Sequence, residues 1–526
     1  MSSPTRNTYL IILGAIAIIA VLAGAFIFLS PGGGGEEGET ATEQAETKGE
    51  VETETTPTTE TPAEETTTEA EAVEETTTGE ETETKVETEP VVLRILTRHP
   101  GEIQLAAKEE FLKSDIARKF NIVDIKFYSV PPVSWINAIE SRGDIDIAWG
   151  GGPTLFDQLN QAGLLAPLTT DLALEAASQV PDTFAGAPMK RVGDDGMIYW
   201  VAASVASFGF TVNHEILSQY SLPVPERWAD LGSYVYGVPL VLENRPVVAI
   251  ADPTRSTSNT RMYQIILQAY GWEEGWIVLT TTAANALVEG GSAEVRDDVI
   301  QGRVGVGITI DFYGYTAMRA NPSTEYIIPE GETIINGDPI ALLTTSENPE
   351  AAQAFIAWVL TEGQKIWFRE DINRLPANPN AFNLPEGMMR SDLKEVYDKL
   401  SKARSMEFSD ERALQTELAM QLYFKATLVD LNSLLKEVWK ILISLYVSGK
   451  IDEATFESYI NRLGQPLSYI DPLTGETVVF TEEDAARVTS IIKENPRAKD
   501  QYISAWREAA IERYESLLDE LSQLGG

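Results

Sequence analysis

From Val91 onward, short apolar runs alternate with longer stretches of mixed polarity. The runs Val92–Thr97, Val123–Tyr128 and Ile145–Trp149 are rich in β-branched and aromatic residues and predict buried strands. Between the first two runs, Ile103–Lys119 repeats apolar positions at helical spacing and predicts one amphipathic helix. Strands and helices alternating at this spacing indicate βαβ units and a parallel sheet.

The following residues continue the alternation. Residues 197–213 predict two strands interrupted near Ser204, and Val247–Ile250 predicts another strand followed by a helix. The later predicted elements are the strands Val304–Ile310 and Ile340–Leu343 and the helix Pro349–Phe368. We therefore expect an α/β body with two lobes at 91–385. The first lobe is expected at about 91–197 and 315–370, and the second at about 198–314.

An apolar segment near the N-terminus, Tyr9–Leu29, contains 21 residues and no charge. At about 1.5 Å per residue its length matches the roughly 30 Å core of a bilayer, so it predicts a transmembrane anchor. Arg6 precedes the segment and an acidic tract follows it, which by the positive-inside rule places residues 1–8 in the cytoplasm. A cleaved signal peptide ending near Ala23–Ala25 is the alternative interpretation.

Residues 31–90 consist almost entirely of Glu, Thr, Pro, Gly and Ala, without an aromatic residue. Such a tract has little apolar surface to bury, and we expect residues 30–90 to form a disordered stalk. The prediction is a single-pass protein of the cell membrane with an extracellular globular body.

Composition excludes several kinds of chemistry. The chain has no Cys and two His, which excludes disulfides, thiolate zinc sites, cysteine catalysis and a multi-histidine metal site. Its net charge of −40 argues against nucleic acid as a partner.

Candidate ligand-binding residues follow the strands of the predicted sheet. Arg98 and His99 come directly after the first strand, and Gly151, Gly152 and Thr154 come after the third. Ligands of open α/β sheets bind beyond the carboxyl ends of the strands, which between two lobes is a cleft. Glycines allow close approach of a ligand, and the same loop is equally typical of a tight turn from strand to helix.

The stretch Ile250–Trp272 contains a junction of strand, polar loop and helix. Arg255, Ser256, Thr257 and Ser258 stand where the helix begins, and the first turn of a helix leaves N–H groups available to an anion. The stretch matches neither G-x-x-x-x-G-K-[ST] nor G-x-G-x-x-G. The missing lysine and glycines argue against the phosphate loop of a nucleotide-dependent enzyme.

A fourth group of candidates, Asp311 and Tyr313, follows the predicted strand Val304–Ile310. Carboxylate and phenol oxygens bind hard cations such as Fe(III), and they also form hydrogen bonds with organic ligands. Tyrosine near a strand end is also a common packing residue, so a structural role is the alternative.

Several of these motifs, in this order, resemble the extracellular solute-binding proteins of ABC importers with the type II periplasmic-binding fold. The most similar class binds ferric iron or related substrates. The resemblance covers about 91–385. It rests on Leu96–His99, Asp144–Gly152, Ala162–Leu168, Leu222–Trp228, Ala251–Ser256, Asn348–Ala352 and Leu375–Pro379.

The resemblance implies which residues would correspond to iron ligands. His99 matches the first ligand position of the ferric-binding class, and Tyr313 matches one of its two adjacent tyrosines. The class has a Glu ligand after the third strand, and the corresponding loop of this sequence contains no Glu. Asp311, Phe312 and Tyr313 stand where the class has its two adjacent tyrosines, so one tyrosine is retained. With two of four ligands retained, a chelated iron or an organic anion fits the sequence as well as bare Fe(III).

The resemblance also implies the function. We expect a membrane-tethered receptor that captures a small solute between its lobes and delivers it to the permease and ATPase subunits of an importer. Such a protein is not an enzyme and has no cofactor, iron being at most its cargo. The alternatives are a sensory or adhesive ectodomain of the same fold and a cell-surface hydrolase, for which no G-x-S-x-G motif is present.

Residues 386–526 extend beyond a typical member of that class. Helical periodicity predicts an all-α extension with helices at about 391–404, 409–446, 452–462, 482–493 and 497–523. We expect this extension to pack on the second lobe, and a docking surface for the permease or the cell envelope is the alternative.

Overall fold

The structure, a computed structural model, describes residues 89–131 and 134–525. The predicted cytoplasmic segment 1–8, the predicted anchor 9–29 and nearly all of the predicted stalk 30–90 lie outside the described residues. Within the described part of the chain, no helix is long and apolar enough to cross a membrane.

The first elements contain the three predicted N-terminal strands. In chain order they are β1 (Val91–Thr97), α1 (Gly101–Leu112), α2 (Asp115–Lys119), β2 (Ile122–Tyr128), α3 (Trp135–Arg142), β3 (Ile147–Trp149), α4 (Pro153–Gln161), β4 (Leu165–Ala166), α5 (Asp171–Ser178), β5 (Thr183–Phe184), β6 (Ala187–Pro188), β7 (Lys190–Val192) and β8 (Ile198–Asn213).

The middle of the chain supplies the other strands of the large sheet. Its elements are α6 (His214–Gln219), α7 (Tyr234–Glu243), β9 (Val248–Ala251), α8 (Thr257–Tyr270), α9 (Trp272–Asn285), β10 (Ala286–Glu289), α10 (Ser292–Ile300), β11 (Val306–Ile310), α11 (Asp311–Ala320), β12 (Thr324–Ile327), β13 (Ile335–Leu343), α12 (Pro349–Leu360) and β14 (Leu375–Pro376).

The last part of the chain is mostly helical. Its elements are α13 (Pro385–Met388), α14 (Ser391–Leu400), α15 (Asp410–Phe424), α16 (Asn432–Val447), α17 (Glu453–Gly464), β15 (Ser468–Ile470), β16 (Thr477–Val479), α18 (Glu482–Glu494) and α19 (Ala498–Gly525). Short 3-10 helices lie at Trp228–Gly232, Glu362–Phe368 and Pro379–Asn383, and a π-helical turn lies at Lys425–Val429.

The large sheet has the strand order β10-β9-β11-β8-β13-β3-β1-β2. Strand β1 is parallel to β2 and β3, and β9 is parallel to β10 and β11. Strand β8 runs through both halves, since Val201–Ser207 pairs with β13 and Phe208–Val212 pairs with β11. We call the half with β1, β2 and β3 the first lobe and the half with β9, β10 and β11 the second lobe. The predicted domain limits stay predictions.

Two predicted boundaries differ from the structure for local reasons. Strand β8 is continuous through Ser204, because the polar residues that suggested a break are buried in a central strand with partners on both sides. The single helix predicted at Ile103–Lys119 is two helices, because the Ser114 hydroxyl accepts the N–H of Ala117 and caps the second one.

The predicted all-α character of residues 386–526 needs correction. The hairpin β15–β16 lies between α17 and α18, and the helix predicted at 409–446 is divided by the π-helical turn. Helices α15 to α19 share one hydrophobic core with the second lobe, and Leu393, Tyr397 and Leu400 of α14 belong to the separate core of the first lobe. The predicted packing on the second lobe therefore holds for α15 to α19, whereas α14 packs on the first lobe.

Candidate functional site

The carboxyl ends of β9 and β10 meet at one edge of the second lobe, because the two strands are parallel neighbours. Helix α8 follows β9 and helix α10 follows β10, so both helices begin at this edge. Ser256 and Ser258 from the start of α8 and Ser292 from the start of α10 form what we call the serine cluster. The Oγ of Ser292 lies 2.5 Å from that of Ser256 and 2.6 Å from that of Ser258.

The two helix starts differ in how their first N–H groups are satisfied. In α8, the Ser256 hydroxyl accepts the N–H of Asn259 and caps the helix. In α10 the N-cap is Gly291, which has no side chain to accept these N–H groups. The positive ends of both helix dipoles thus converge on the serine cluster, an arrangement that favours an anion.

Two arginines belong to the segments that carry the serine cluster. Arg296 lies one turn after Ser292 on the same face of α10, and its guanidinium carbon is 4.9 Å from the centre of the Tyr313 ring. Arg296 also forms a 2.8 Å ion pair with Asp297. Arg255 is exposed, and its guanidinium lies over the backbone of Gly290 at the end of β10.

Asp311 is buried at the point where β11 ends. Its carboxylate accepts the N–H groups of Ser207 and Phe312, both at 2.8 Å. Burial raises the pKa of Asp311 to about 6, although the nearby Arg374 and these hydrogen bonds act in the opposite direction. Burial likewise raises the pKa of Tyr313, while Arg296 lowers it.

The junction between the lobes contains a buried ion pair. Arg374, beside β14, donates to Asp338 of β13 at 2.8 Å. Burial by itself would raise the pKa of Asp338, but the charge of Arg374 and the N–H of Gly151 outweigh it and the pKa is lowered. The Nε of Arg374 forms no hydrogen bond with any described residue.

His99 packs against this ion pair as a buried aromatic ring. Its centroid lies 4.5 Å from that of Trp149, and burial lowers its pKa to about 3, so the ring is neutral. Nδ1 lies 3.3 Å from Nη1 of Arg374, which can only donate, so Nδ1 accepts and Nε2 carries the proton. Nε2 faces Gly150, where an added Cβ would lie 2.8 Å away.

The glycines after β3 wrap around the same residues. Gly150, Gly151 and Gly152 have φ values of +79°, +116° and +85°, which only glycine adopts without strain. The N–H of Gly151 donates to Asp338 at 2.7 Å. The N–H of this candidate residue is therefore occupied by a carboxylate of the protein.

The remaining first-lobe candidates also contact protein groups. Arg98 donates to the carbonyl of Val130 at 3.2 Å, and burial lowers its pKa while Glu417 raises it. Thr154 is buried at the second position of α4, and its hydroxyl accepts from Arg261 of α8 at 3.2 Å.

Seven of the candidates thus fall into two groups in the structure. That these residues bind a ligand stays a prediction. Arg255, Ser256 and Ser258 lie at the serine cluster, with Thr257 exposed as the first residue of α8. His99, Gly151 and Gly152 surround the Arg374–Asp338 ion pair.

Four residues of these groups were missing from the sequence prediction. Ser292 and Arg296 follow a strand and two glycines, so the reasoning used for Ile250–Trp272 also applies to them. No local sequence pattern indicates Asp338 and Arg374. They come to the junction between the lobes because β13 and β14 pair with β8, which is distant from both in sequence.

The geometry gives no metal site. Across residues 89–131 and 134–525, no group of three or more His, Asp or Glu side chains is placed to hold a metal ion. His99, matched by the resemblance to an iron ligand, has both ring nitrogens directed at protein atoms.

A family model described as bacterial extracellular solute-binding protein matches residues 100–366, half of the chain. The chain belongs to this family. This solute-binding protein is accordingly a binding protein rather than an enzyme, with a body of the α/β periplasmic-binding type that functions outside the cytoplasm. Proteins of this kind have no resident cofactor and act with the permease and ATPase components of ABC importers.

Curated relatives include the phosphoglycerate transport regulatory protein PgtC of Salmonella typhimurium and that of Salmonella typhi. Each is 27% identical over 195 residues, which are 37% of this chain and 47% of the relative. The solute-binding protein therefore spans about half the length of these relatives.

Solved structures similar to the solute-binding protein include two with a bound ligand. The periplasmic binding protein AfuA from Actinobacillus pleuropneumoniae, with fructose-6-phosphate, is 18% identical with a TM-score of 0.45, covering 59% of this chain and 98% of that one. Iron-bound HitA from Pseudomonas aeruginosa is 16% identical with a TM-score of 0.44, covering 59% and 99%.

Proposed function

We propose that this solute-binding protein captures a small phosphorylated or carboxylated anion between its lobes. The observation that carries the proposal is the serine cluster, where two helix N-termini and three hydroxyl groups converge beside Arg255 and Arg296. Helix N–H groups and hydroxyls donate hydrogen bonds to an anion, and arginine adds charge-assisted ones. The name of the curated relatives, which refers to phosphoglycerate, supports a ligand with these groups.

The same geometry makes bare Fe(III) a poorer ligand. Iron needs several oxygen or imidazole donors around one point, and His99 directs its ring nitrogens at Arg374 and Gly150. An iron complex whose anionic chelator contacts the serine cluster fits the proposal, because the protein would then recognise the chelator.

Calorimetric titration of the purified protein tests the proposal. We expect phosphoglycerate to bind and Ser258→Asp to weaken its binding at least about tenfold, because a carboxylate replaces a donor to the anion. Ser433→Asp is the matched control, an exposed serine in the first turn of α16, and should bind as the wild type does. Binding of bare Fe(III) or spermidine, without binding of phosphoglycerate, phosphate or ferric citrate, would falsify the proposal.

Membrane attachment is the second part of the proposal. The apolar segment 9–29 would anchor the protein once in the membrane, the stalk 30–90 would separate it from the body, and 91–526 would lie outside the cell. Alkaline extraction of membranes from cells that produce the full chain should leave the protein in the membrane pellet. Release of a protein with a new N-terminus near residue 25 would instead identify a cleaved signal peptide.

A further inference from the structure

The C-terminal extension packs into both lobes. Leu393, Tyr397 and Leu400 of α14 belong to the hydrophobic core of the first lobe. Helices α15 to α19 belong to the core of the second lobe. The chain therefore crosses between the lobes a third time at residues 401–409, after the crossings in β8 and between β12 and β13.

The third crossing is hydrogen-bonded to the junction of the lobes. The N–H of Met406 donates to the carbonyl of Thr333 at 2.8 Å, and the N–H of Ile335 donates to Ser405 Oγ at 3.1 Å. The Thr333 hydroxyl in turn donates to the carbonyl of Phe208 in β8 at 2.7 Å. Three chain segments thus run side by side where the lobes meet.

Helix α15, which follows the crossing, is fixed along α8 of the second lobe. Gln268 and Ser409 form two hydrogen bonds of 2.8 Å. Nε2 of Gln268 donates to the carbonyl of Ser409, and the N–H of Ser409 donates to Oε1 of Gln268. One turn further, Gln264 donates to both Ala413 and Glu417 at 3.1 Å. The start of α15 is therefore held rigidly to the second lobe.

Arg261 connects this assembly to the first lobe. Its Nη1 forms a 3.0 Å ion pair with Asp410 at the start of α15, and its Nη2 donates to Thr154 of α4 at 3.2 Å. The guanidinium lies 5.0 Å from the centre of the Phe408 ring, and the side chain is 16% exposed. Asp410 and Phe408 hold the guanidinium at the position where it meets Thr154.

We propose that Arg261 is a positioning residue that keeps the two lobes together, with the extension as a brace that presents its guanidinium to Thr154. Since Arg261 and Asp410 belong to one rigid assembly and Thr154 to the other lobe, the Arg261–Thr154 bond is a contact that lobe opening breaks. The extension then sets how far the cleft opens. This inference concerns the lobes themselves and does not depend on which solute is bound.

Distance measurement between the lobes tests the inference without a ligand. The chain has no Cys, so spin labels can be placed at Glu109→Cys in α1 and Glu273→Cys in α9, both exposed, and measured by pulsed electron paramagnetic resonance. We expect one narrow distance distribution in the otherwise unchanged protein. Arg261→Met should add a second population, with about a tenfold rise in the ratio of open to closed molecules, as loss of a charge-assisted hydrogen bond implies.

Two further variants separate this role from a general loss of stability. Thr154→Val removes the acceptor in the first lobe and leaves the Arg261–Asp410 pair intact, so it should give the same second population. Arg412→Met is the matched control, because Arg412 lies near Asp410 in the first turn of α15 but pairs with Glu482 inside the extension, and it should leave the distribution unchanged. The inference is overturned if Arg261→Met and Thr154→Val both give the unmodified distribution, or if Arg412→Met opens the lobes equally.

Discussion

At the scale of single residues, the burial of Asp311 makes its charge a source of instability. Its pKa is raised to about 6 in the folded protein, above the roughly 3.9 of an unfolded chain. The folded state therefore binds the proton of the Asp311 carboxyl more tightly than the unfolded state does. The stability that results from this difference is lost as the pH rises through 6. Between pH 5 and pH 7 we expect the Asp311 carboxyl to lower the free energy of unfolding by about 1 kcal/mol.

Urea unfolding of wild type and Asp311→Asn at the two pH values measures this effect. Between pH 5 and pH 7, the free energy of unfolding of Asp311→Asn should rise by about 1 kcal/mol relative to that of the wild type. Asp519→Asn, at an exposed position of α19, is the control and should show no such shift. An equal pH dependence for wild type and Asp311→Asn would contradict the prediction.

A second prediction at this scale concerns the packing of His99 on Gly150. Gly150→Ala introduces a Cβ at a φ of +79° and 2.8 Å from Nε2 of the ring. Gly143→Ala is the matched control, with a φ of +66° and no heavy atom within 4 Å of the added Cβ. The backbone conformation costs about 1–2 kcal/mol in both variants, so thermal unfolding should show a clearly larger loss for Gly150→Ala. Equal losses would mean that the ring moves away freely.

Residues of the candidate site differ in how far the sequence reveals them. Ser256 and Ser258 are found because a strand, a polar loop and a helix follow one another within a few residues. Ser292 also lies at the start of a helix that follows a strand, so the same argument could have found it. Arg374 was not, because its role depends on Asp338 and His99, which the fold brings to it from distant parts of the chain.

At the scale of elements, the start of α8 has a structural role, helix capping, in addition to the ligand-binding role proposed for it. Ser256 caps α8 and Ser409 caps α15, each by accepting an N–H three residues further along the chain. Either Ser→Ala substitution should lower the free energy of unfolding by about 1 kcal/mol. Under the proposed function, only Ser256→Ala should also weaken phosphate binding in calorimetry. Equal affinities of the two variants would remove Ser256 from the binding site.

The elements themselves were predictable where the pattern was local. Strands β1 and β3 and helix α8 lie close to their predicted positions, because β-branched runs and helical spacing are properties of adjacent residues. Strand β8 was divided in the prediction because Ser204 interrupts its apolar run, yet β13 and β14 pair with that residue in the sheet. Its hydroxyl is buried in the structure, a placement that the neighbouring strands determine.

At the scale of the whole molecule, the extension and the second lobe form a single core. Trp439 of α16 shows the connection, since its Nε1 donates to Asn285 of α9 at 2.7 Å and lies 2.9 Å from where a Cβ on Gly237 would be. The sequence predicted helices here from their periodicity, but the residues of α7 and α9 in the same core lie far earlier in the chain. Only tertiary structure reveals them.

This shared core predicts that damage in the extension reaches the second lobe. Trp439→Ala removes a fully buried side chain and should lower the free energy of unfolding by about 3–5 kcal/mol. Hydrogen exchange should then accelerate in α7 and α9 of the second lobe together with α16 and α17, because these helices lose one core. Strands β1, β2 and β3 of the first lobe should keep their protection.

Trp358→Ala supplies the reciprocal control. Trp358 is also fully buried, but it lies in α12 of the first lobe, 5.3 Å between ring centres from Phe111. Its removal should accelerate exchange in α1 and β1 and spare α16 and α17, since the two cores are separate. If Trp439→Ala accelerates exchange in the extension alone, the extension is an independent folding unit. The proposed role of the extension as a brace would then need a physical basis other than the shared core.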